Sequence, residues 1–337
     1  MMGTANTAPL KTALVLGASG GVGGEVTREL LRTGWRVRGL KRGLGTPHLV
    51  REGVEWINGD AMLLTDVISA AQGCSVIVHA VNPPGYKRWA ELVLPMIDNT
   101  IAAARQHGAT ILLPGTVYNF GPDTFPLINE DASQQPQTRK GLIRAELEHR
   151  LQVAAASGDV SVIIVRAGDY FGPHARNSWL SQGMLKPGRA VSAMYLPGRP
   201  GVGHQFAYLP DVARTMVSLL TVRDTLPTFS RFNMAGHWDA GGKQIAQAVQ
   251  RVVTRRGYPQ PKLRAFPWWL VWLAAPWVTT LREMLEMRYL WQTEVRMTNQ
   301  RLVEVLGAEP CTPLEEAIEA TLEGMGCLPD VKLLTLA

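Results

Sequence analysis

A chain of 337 residues with 46% apolar and 18% charged side chains has the balance of a globular protein with a sizeable core, one large domain or two small ones. The net charge of +6 is dispersed: its densest cations, Arg28, Arg32, Arg36, Arg38, Lys41 and Arg42, run over a predicted helix, strand and loop, which argues against a nucleic-acid-binding face. Cys74, Cys311 and Cys327 form no CxxC pair, so neither a metal site nor a disulfide framework is expected, and a reducing compartment fits.

Residues 12–16 (TALVL) are an apolar, partly β-branched run that reads as a buried strand. The run GASGGVG follows at 17–23, and residues 25–31 begin a helix with Val26, Leu30 and Leu31 on one face. Strand, glycine turn and helix make a phosphate cradle. Gly17 permits the tight turn, Gly20 lets the backbone approach a pyrophosphate, and Gly23 lets helix and strand pack closely. The helix N-terminus offers N–H groups to the anion, and Ser19, Gly21 and Val22 complete the contact loop. The spacing is GxxGxxG, not the usual GxGxxG; a plain glycine-rich turn is the alternative.

Residues 35–40 read as the second strand. An acidic residue near its end would bond the ribose 2′-hydroxyl of NAD, and none is present. Lys41 and Arg42 stand there, with Arg38 inside the strand, and such cations suit a 2′-phosphate. NADP(H) is therefore the expected cofactor, with NAD(H) the alternative. Residues 54–57 form a third strand before Asn58-Gly59-Asp60; Asp60 either sits by the adenine or caps a helix starting near Thr65. Residues 75–81 read as a buried parallel strand ending in the rigid turn Asn82-Pro83-Pro84-Gly85, with Ala80 and Asn82 beside the cofactor. His79, within that strand, reads as a core histidine.

A long helix over 89–107 leads to a strand at 110–113 and the loop PGTVYNFGP (114–122). Residues 139–156 are an amphipathic helix, with Leu142, Ile143, Leu147, Leu151 and Ala154 on one face and Lys140, Arg144 and Glu148 on another. With a sixth strand at 160–165, the alternation predicts an α/β, doubly wound parallel sheet. Beyond Gly168 the pattern breaks: 171–204 read as loops, 204–209 as a strand, and 210–220 and 243–253 as helices. Residues 265–281 are uncharged and hold Trp268, Trp269, Trp272 and Trp277. Pro267 and Pro276 interrupt a stretch already short for a membrane span, so buried helices of a small domain are expected. An apolar substrate pocket, a dimer face and an interfacial membrane contact are the alternatives.

The landmarks GASGGVG (17–23), NGD (58–60), VIVHAV (76–81), FGP (120–122), VRAGDYFGP (165–173), FAYLPDVA (206–213) and GAEPCTPLEEAIEATL (307–322) run in order over nearly the whole chain. Together they resemble the extended and atypical short-chain dehydrogenases/reductases, the NAD-dependent epimerase/dehydratase-like group. The resemblance implies a Rossmann-like domain of residues 10–170 plus 205–225. It also implies a smaller, mostly helical substrate domain of 171–204 and 226–330. It implies further that the VRAGDYFGP segment, with Asp169 and Tyr170, closes over the nicotinamide side, and that Asp211 helps join the domains.

The departure is at the catalytic centre. Thr116 aligns with the family's Ser or Thr, but the YxxxK motif fails. The helix offers Thr138-Arg139-Lys140-Gly141-Leu142-Ile143-Arg144, with no tyrosine in either register. Lys140 and Arg144 take the spacing if Glu148 matches the family's later glutamate; Thr138 and Leu142 take it if Glu146 does. A phenol titrating near 10 serves as acid or base only beside a cation that lowers its pKa. Tyr118 is therefore the expected proton donor, with Lys140 or Arg144 as the cation and Thr116 and Asn82 orienting the reacting oxygen. The alternative is a Tyr118 packed on a core loop.

The leading expectation is an NADP(H)-dependent oxidoreductase that moves hydride between the nicotinamide and a small carbonyl or alcohol substrate. Two alternatives are a nucleotide-sugar epimerase or dehydratase with tightly bound NAD, and a non-catalytic NADP(H)-binding regulator. No nucleic acid, no transmembrane span and no metal are expected; a homodimer is the prior for assembly. The polar start, MMGTANTAPLK, lacks the apolar core of a signal peptide, so a cytoplasmic protein is expected.

Overall fold

A computed structural model describes residues 11–83 and 88–328. Residues 1–10 of the polar start, and Pro84 and Gly85 of the expected rigid turn, lie outside them. The first half of the chain alternates strand and helix: β1 (Thr12–Leu16), α1 (Gly21–Arg32), β2 (Arg36–Lys41), β3 (His48–Arg51), β4 (Val54–Asn58), α2 (Leu64–Ala71), β5 (Val76–His79), α3 (Trp89–His107) and β6 (Thr110–Thr116). The short β7 (Leu127–Ile128) precedes α4 (Arg139–Ala156) and β8 (Val162–Ala167). The rest comprises β9 (Asp169–Phe171), β10 (Ala193–Leu196), β11 (His204–Tyr208), α5 (Leu209–Thr221), β12 (Phe229–Asn233), β13 (His237–Asp239) and α6 (Gln244–Arg255). Last come β14 (Lys262–Ala265), α7 (Trp268–Ala274), α8 (Thr279–Glu286), β15 (Arg296–Met297), α9 (Gln300–Leu306) and α10 (Leu314–Gly324).

Among the described residues the main sheet has eight strands in the order β12-β8-β6-β5-β1-β2-β4-β3. Every pairing is parallel except β3 with β4. The interior strands are apolar on both faces, as burial between two helix layers demands. Leu14, Ile77 and Leu113 meet α2, α3 and α4 on one side; Val15, Val78 and Leu112 meet α1 and α5 on the other. The β3 hairpin was not expected. Its four residues are all exposed and carry no burial signal; Glu52 and Gly53, both at positive φ, make its tight turn. β6 continues through Pro114 and Gly115 to Thr116, paired with β8, where turn-forming residues suggested an earlier end.

Arg166 on β8 is fully buried beside Gly115, its partner in the register. A Cβ on Gly115 would lie 2.6 Å from Arg166 Cγ, so the glycine makes room for the arginine stem. The guanidinium donates to Glu148 on α4 through Nε (3.0 Å) and Nη2 (2.5 Å), and through Nη1 to the Glu130 carbonyl (3.1 Å). Glu148 also accepts from Gln134, and Gln134 from Asn119, whose amide reaches the Arg144 carbonyl. One buried ion pair thus ties β8, α4 and the loop after β6 together.

The smaller lobe has its own core, built from Phe171, Met194, Phe206, Val249, Trp291 and Ile318. It carries a three-stranded sheet (β13-β11-β9) and the pairs β10-β14 and β7-β15 beside α6 and α10. β12, from the range expected in the substrate domain, is the edge of the main sheet. Asp211, at the start of α5, accepts the Thr312 N–H and hydroxyl, both at 2.7 Å, and pairs with Arg214, so it anchors the C-terminal segment. Glu309 does likewise, accepting from the Ala235 and Gly236 N–H groups.

The tryptophan-rich segment corrects the sequence reading. Buried helices were expected; instead Trp269, Trp272 and Trp277 are 68%, 72% and 80% exposed. α7 buries only the line through Val271 and Ala275, with Trp268 half-buried at its base. No described helix is long and apolar enough to cross a membrane.

Arg166→Met leaves Glu148 buried without its charge partner and is expected to cost about 3–5 kcal/mol of unfolding free energy. The double variant Arg166→Met/Glu148→Leu should recover most of that loss in urea titrations.

Candidate cofactor and substrate site

Strand order reverses direction at β1, with β2 on one side and β5 on the other. In open α/β sheets ligands bind in the crevice beyond the strand ends at such a switch point. Here the Ala80 N–H donates to the Leu16 carbonyl at 2.9 Å, joining the turns after β1 and β5. Gly17 has φ +88°, and a Cβ there would lie 2.5 Å from the Ala80 carbonyl oxygen, so only glycine fits. A Cβ on Gly23 would lie 2.3 Å from the Gly17 oxygen, so α1 packs directly on the turn.

At the mouth of this loop Ser19 and Gly20 are exposed, and Gly21 and Val22 partly so. Gly20 caps α1 without a side-chain hydrogen bond, and the first turn of α1 has no acidic residue. A Cβ on Gly20 would meet only the Gly17 oxygen of its own turn, at 3.2 Å, so its outer side is open. A pyrophosphate fits this cradle, with the positive end of α1 facing it. Asn82 follows β5 and is exposed.

The expected 2′-phosphate cluster is only partly assembled. Arg38 is turned away, its Nε on Glu55 (3.0 Å) and its Nη1 on the carbonyls of Ala70 (3.1 Å) and Gln72 (2.6 Å). It closes the C-terminal end of α2 and is engaged there. Lys41 lies 5.5 Å over the Trp56 ring, and Arg42 is 3.5 Å from Asp60. Asp60 organises the approach to α2: its Oδ1 accepts from the Met62 N–H (3.0 Å), and its own N–H donates to Asp66 (2.9 Å).

At the end of β6 the Thr116 hydroxyl accepts from the Tyr118 N–H at 3.3 Å and caps the short turn 117–119. Tyr118 is half-buried and packs against a cluster that includes Phe120, Ile128, Met287 and Leu290. Lys140 departs from expectation. It is 3% exposed, with Nζ 3.0 Å from the Glu283 carboxylate and 3.2 Å from the Glu283 carbonyl. Burial pushes its ammonium pKa down, and Glu283 opposes that shift. α8 thus covers the start of α4 and seals Lys140 against Glu283. Arg144, one turn on, lies 4.9 Å over the Trp89 ring and acts electrostatically on both His79 and Tyr170. Of the two expected cations, Arg144 is the one near the strand ends.

The Tyr170 hydroxyl donates to the Gly115 carbonyl at 3.0 Å, and burial pushes its pKa up to about 12. Asp169 faces a residue that the sequence reading passed over: its Oδ2 is 2.7 Å from His204 Nε2. His204 Nδ1 lies 3.2 Å from the Leu290 carbonyl, and its ring stacks on Trp291 at 3.7 Å. A small cavity is lined by Val117, Asp169, His204, Gln205 and Leu290, between the loop after β6 and the smaller lobe. The only signal for His204 in the sequence is a histidine opening a strand, which does not reveal that β9 pairs alongside it. Asp211, His237 and Cys311 also converge within 4.8 Å, but Thr312 and Arg214 already engage the Asp211 oxygens.

The chain belongs to the NAD-dependent epimerase/dehydratase family, whose model matches residues 13–235. Its fold is that of several solved nucleotide-sugar proteins. MoeE5, solved with UDP-glucose and NAD, superposes with a TM-score of 0.68 at 18% identity, covering 97% of this chain and 100% of that one. UDP-N-acetylglucosamine 4-epimerase from Bacillus cereus gives 0.67 at 15% identity, covering 95% and 98%. UDP-glucuronic acid 4-epimerase from the same organism, solved with UDP-glucuronic acid and NAD, gives 0.68 at 16%, covering 93% and 98%. No curated protein matches the sequence significantly.

These findings overturn the expectation of an NADP(H)-dependent carbonyl oxidoreductase. The family is an epimerase/dehydratase family, and the MoeE5 and UDP-glucuronic acid 4-epimerase structures were solved with NAD. The preference for NADP(H) rested on three cations, of which Arg38 is engaged elsewhere.

His79, at the end of β5, is buried and bonded to Thr100 at 2.8 Å. The Thr100 hydroxyl donates to the Met96 carbonyl, so it accepts from His79 Nδ1–H, which fixes the neutral tautomer. Burial first, and Arg144 second, lower the His79 pKa to about 3. The unfolded chain takes up a proton near pH 6.5 and the folded chain does not, so this contribution is complete above pH 6.5 and declines as pH falls toward 3. Between pH 7 and pH 5 the stability of wild type relative to His79→Gln should fall by about 2 kcal/mol in urea titrations.

Proposed function

We propose that this chain holds NAD(H) tightly in the crevice between β1 and β5 and uses it for reversible hydride transfer on the sugar of a nucleotide sugar. The observation that carries the reading is the family match over residues 13–235, which spans both the glycine cradle and the VRAGDYFGP segment. NAD, when bound, supplies the hydride acceptor and returns the hydride to the oxidised sugar. The loop 17–23 holds the pyrophosphate on the α1 N-terminus, and Ala80 and Asn82 flank the nicotinamide side.

Tyr118 is the candidate acid–base group, because the YxxxK tyrosine is missing and Tyr118 shares a loop with Thr116. Arg144 is the candidate cation. The Glu148–Arg166 pair supports Glu148 as the family's later glutamate, the register that puts Arg144 at the lysine of YxxxK. The Thr116 oxygen accepts from a backbone N–H, which leaves its own O–H to donate to the reacting sugar oxygen. Asp169 and His204 line the neighbouring cavity and are candidates for orienting the substrate. Burial of Lys140 against Glu283 favours a second reading, cofactor binding without turnover, because the position that would match the tyrosine is sealed.

The test begins with the purified protein. Denaturation should release NAD in near-stoichiometric amount, read by chromatography. Incubation with UDP-glucose, UDP-N-acetylglucosamine and UDP-glucuronic acid should then convert at least one of them, followed by NMR. Tyr118→Phe should keep its NAD and lose roughly 10²–10⁴-fold in turnover. Bound NAD without conversion of any nucleotide sugar would select the second reading. A protein that neither carries NAD nor binds it when added would end both.

A further inference from the structure

Six apolar side chains of the hairpin formed by α7 and α8 face solvent: Trp269 (68% exposed), Leu270 (45%), Trp272 (72%), Leu273 (59%), Trp277 (80%) and Val278 (44%). The three indoles alone present roughly 500 Å² of surface. That matches the largest apolar patch of an ordinary soluble monomer before the aliphatic residues are added, and such patches mark interaction sites.

The patch is held in place by specific contacts. Trp268 Nε1 donates to the Pro197 carbonyl at 2.8 Å, its ring lies 5.8 Å from that of Trp179, and the Arg288 guanidinium covers it at 5.3 Å. Val271 and Ala275 are buried below. An ordinary surface helix turns its apolar stripe inward and its polar face outward. α7 has no polar residue to turn outward, because residues 265–278 are apolar throughout.

Charge indicates what covers this surface. Residues 258–282 contain no acidic side chain. Lys262 and Arg264 before the patch, and Arg282 after it, are exposed. The glutamates that follow are engaged by α4: Glu283 by Lys140 and Arg139, and Glu286 by the Lys140 N–H at 3.1 Å. The patch is therefore a group of indoles with a cationic border. Indoles concentrate at the boundary between lipid headgroups and acyl chains, and cations beside them attract anionic headgroups. Seven residues of α7 are far too few to span a bilayer.

We infer that the α7–α8 hairpin is an interfacial anchor that seats the protein on the surface of a bilayer containing anionic lipid. Trp269, Trp272 and Trp277 enter the headgroup boundary, and Lys262, Arg264 and Arg282 contact the headgroups. The anchor is independent of the chemistry at the cofactor crevice.

The experiment is co-sedimentation of the full-length protein with vesicles of phosphatidylcholine alone or with roughly 30% phosphatidylglycerol. Wild type should pellet with the anionic vesicles and bind the neutral ones at least about 10-fold more weakly, and added salt should weaken the binding. The triple variant Trp269→Ser/Trp272→Ser/Trp277→Ser should lose about 10-fold or more in partitioning. Because these side chains are exposed, its melting temperature and cofactor content should match wild type. Arg264→Glu/Arg282→Glu should bind anionic vesicles weakly while keeping its fold. Wild type left in the supernatant at every composition would overturn the inference, as would a triple variant that partitions like wild type. A concentration-dependent dimer that the triple substitution dissolves, without vesicle binding, would assign the patch to a second copy and overturn it equally.

Discussion

The buried pair between Arg166 and Glu148 organises the centre of this molecule. It joins a strand to a helix where β6 ends, and through Gln134 it reaches Asn119, on the turn next to Thr116 and Tyr118. Placing a guanidinium in a core carries a large desolvation cost, which only good geometry and further hydrogen bonds offset. Both are present: two contacts to the carboxylate, one to the Glu130 carbonyl, and the Phe120 ring 5.1 Å away. The pair acts chiefly as a positioning device. It sets the register of α4 and so decides which side chain of that helix reaches the strand ends.

That register explains why two cations four residues apart have different fates. Arg144 comes up beside Trp89 near the ends of the central strands, while Lys140 meets Glu283 and is sealed beneath α8. A helical face can be read from spacing, and Lys140, Arg144 and Glu148 do share one. What lies over each turn of that face depends on a segment some 140 residues away, as the Lys140–Glu283 contact shows. Spacing carries no information about it.

The parts of the fold legible in the sequence were those with a local cause. Apolar runs bounded by glycine gave the strands, helical spacing gave α3 and α4 to the residue, and three glycines gave the cradle. The parts missed have non-local causes. β3 has no buried residue and exists because Glu52 and Gly53 fold it back onto β4. Arg38 stood in the right strand for a cofactor role, yet its face of the strand looks onto carbonyls at the end of α2. His204 acquires its significance only when β9 and β11 pair. The tryptophans show that an apolar run need not be a buried one, because hydrophobic residues inside is a one-way rule.

The position of β12 has a consequence for how the chain is made. The main sheet is not finished when its helix-and-strand alternation ends at β8, for its last strand arrives only with Phe229–Asn233 and is then covered by α9. On a ribosome the nascent chain therefore presents β8 as an unpaired apolar edge while the following segment is synthesised. Open edges of this kind recruit foreign strands. The early lobe cannot complete its sheet from its own residues; the last strand is carried by the later part of the chain.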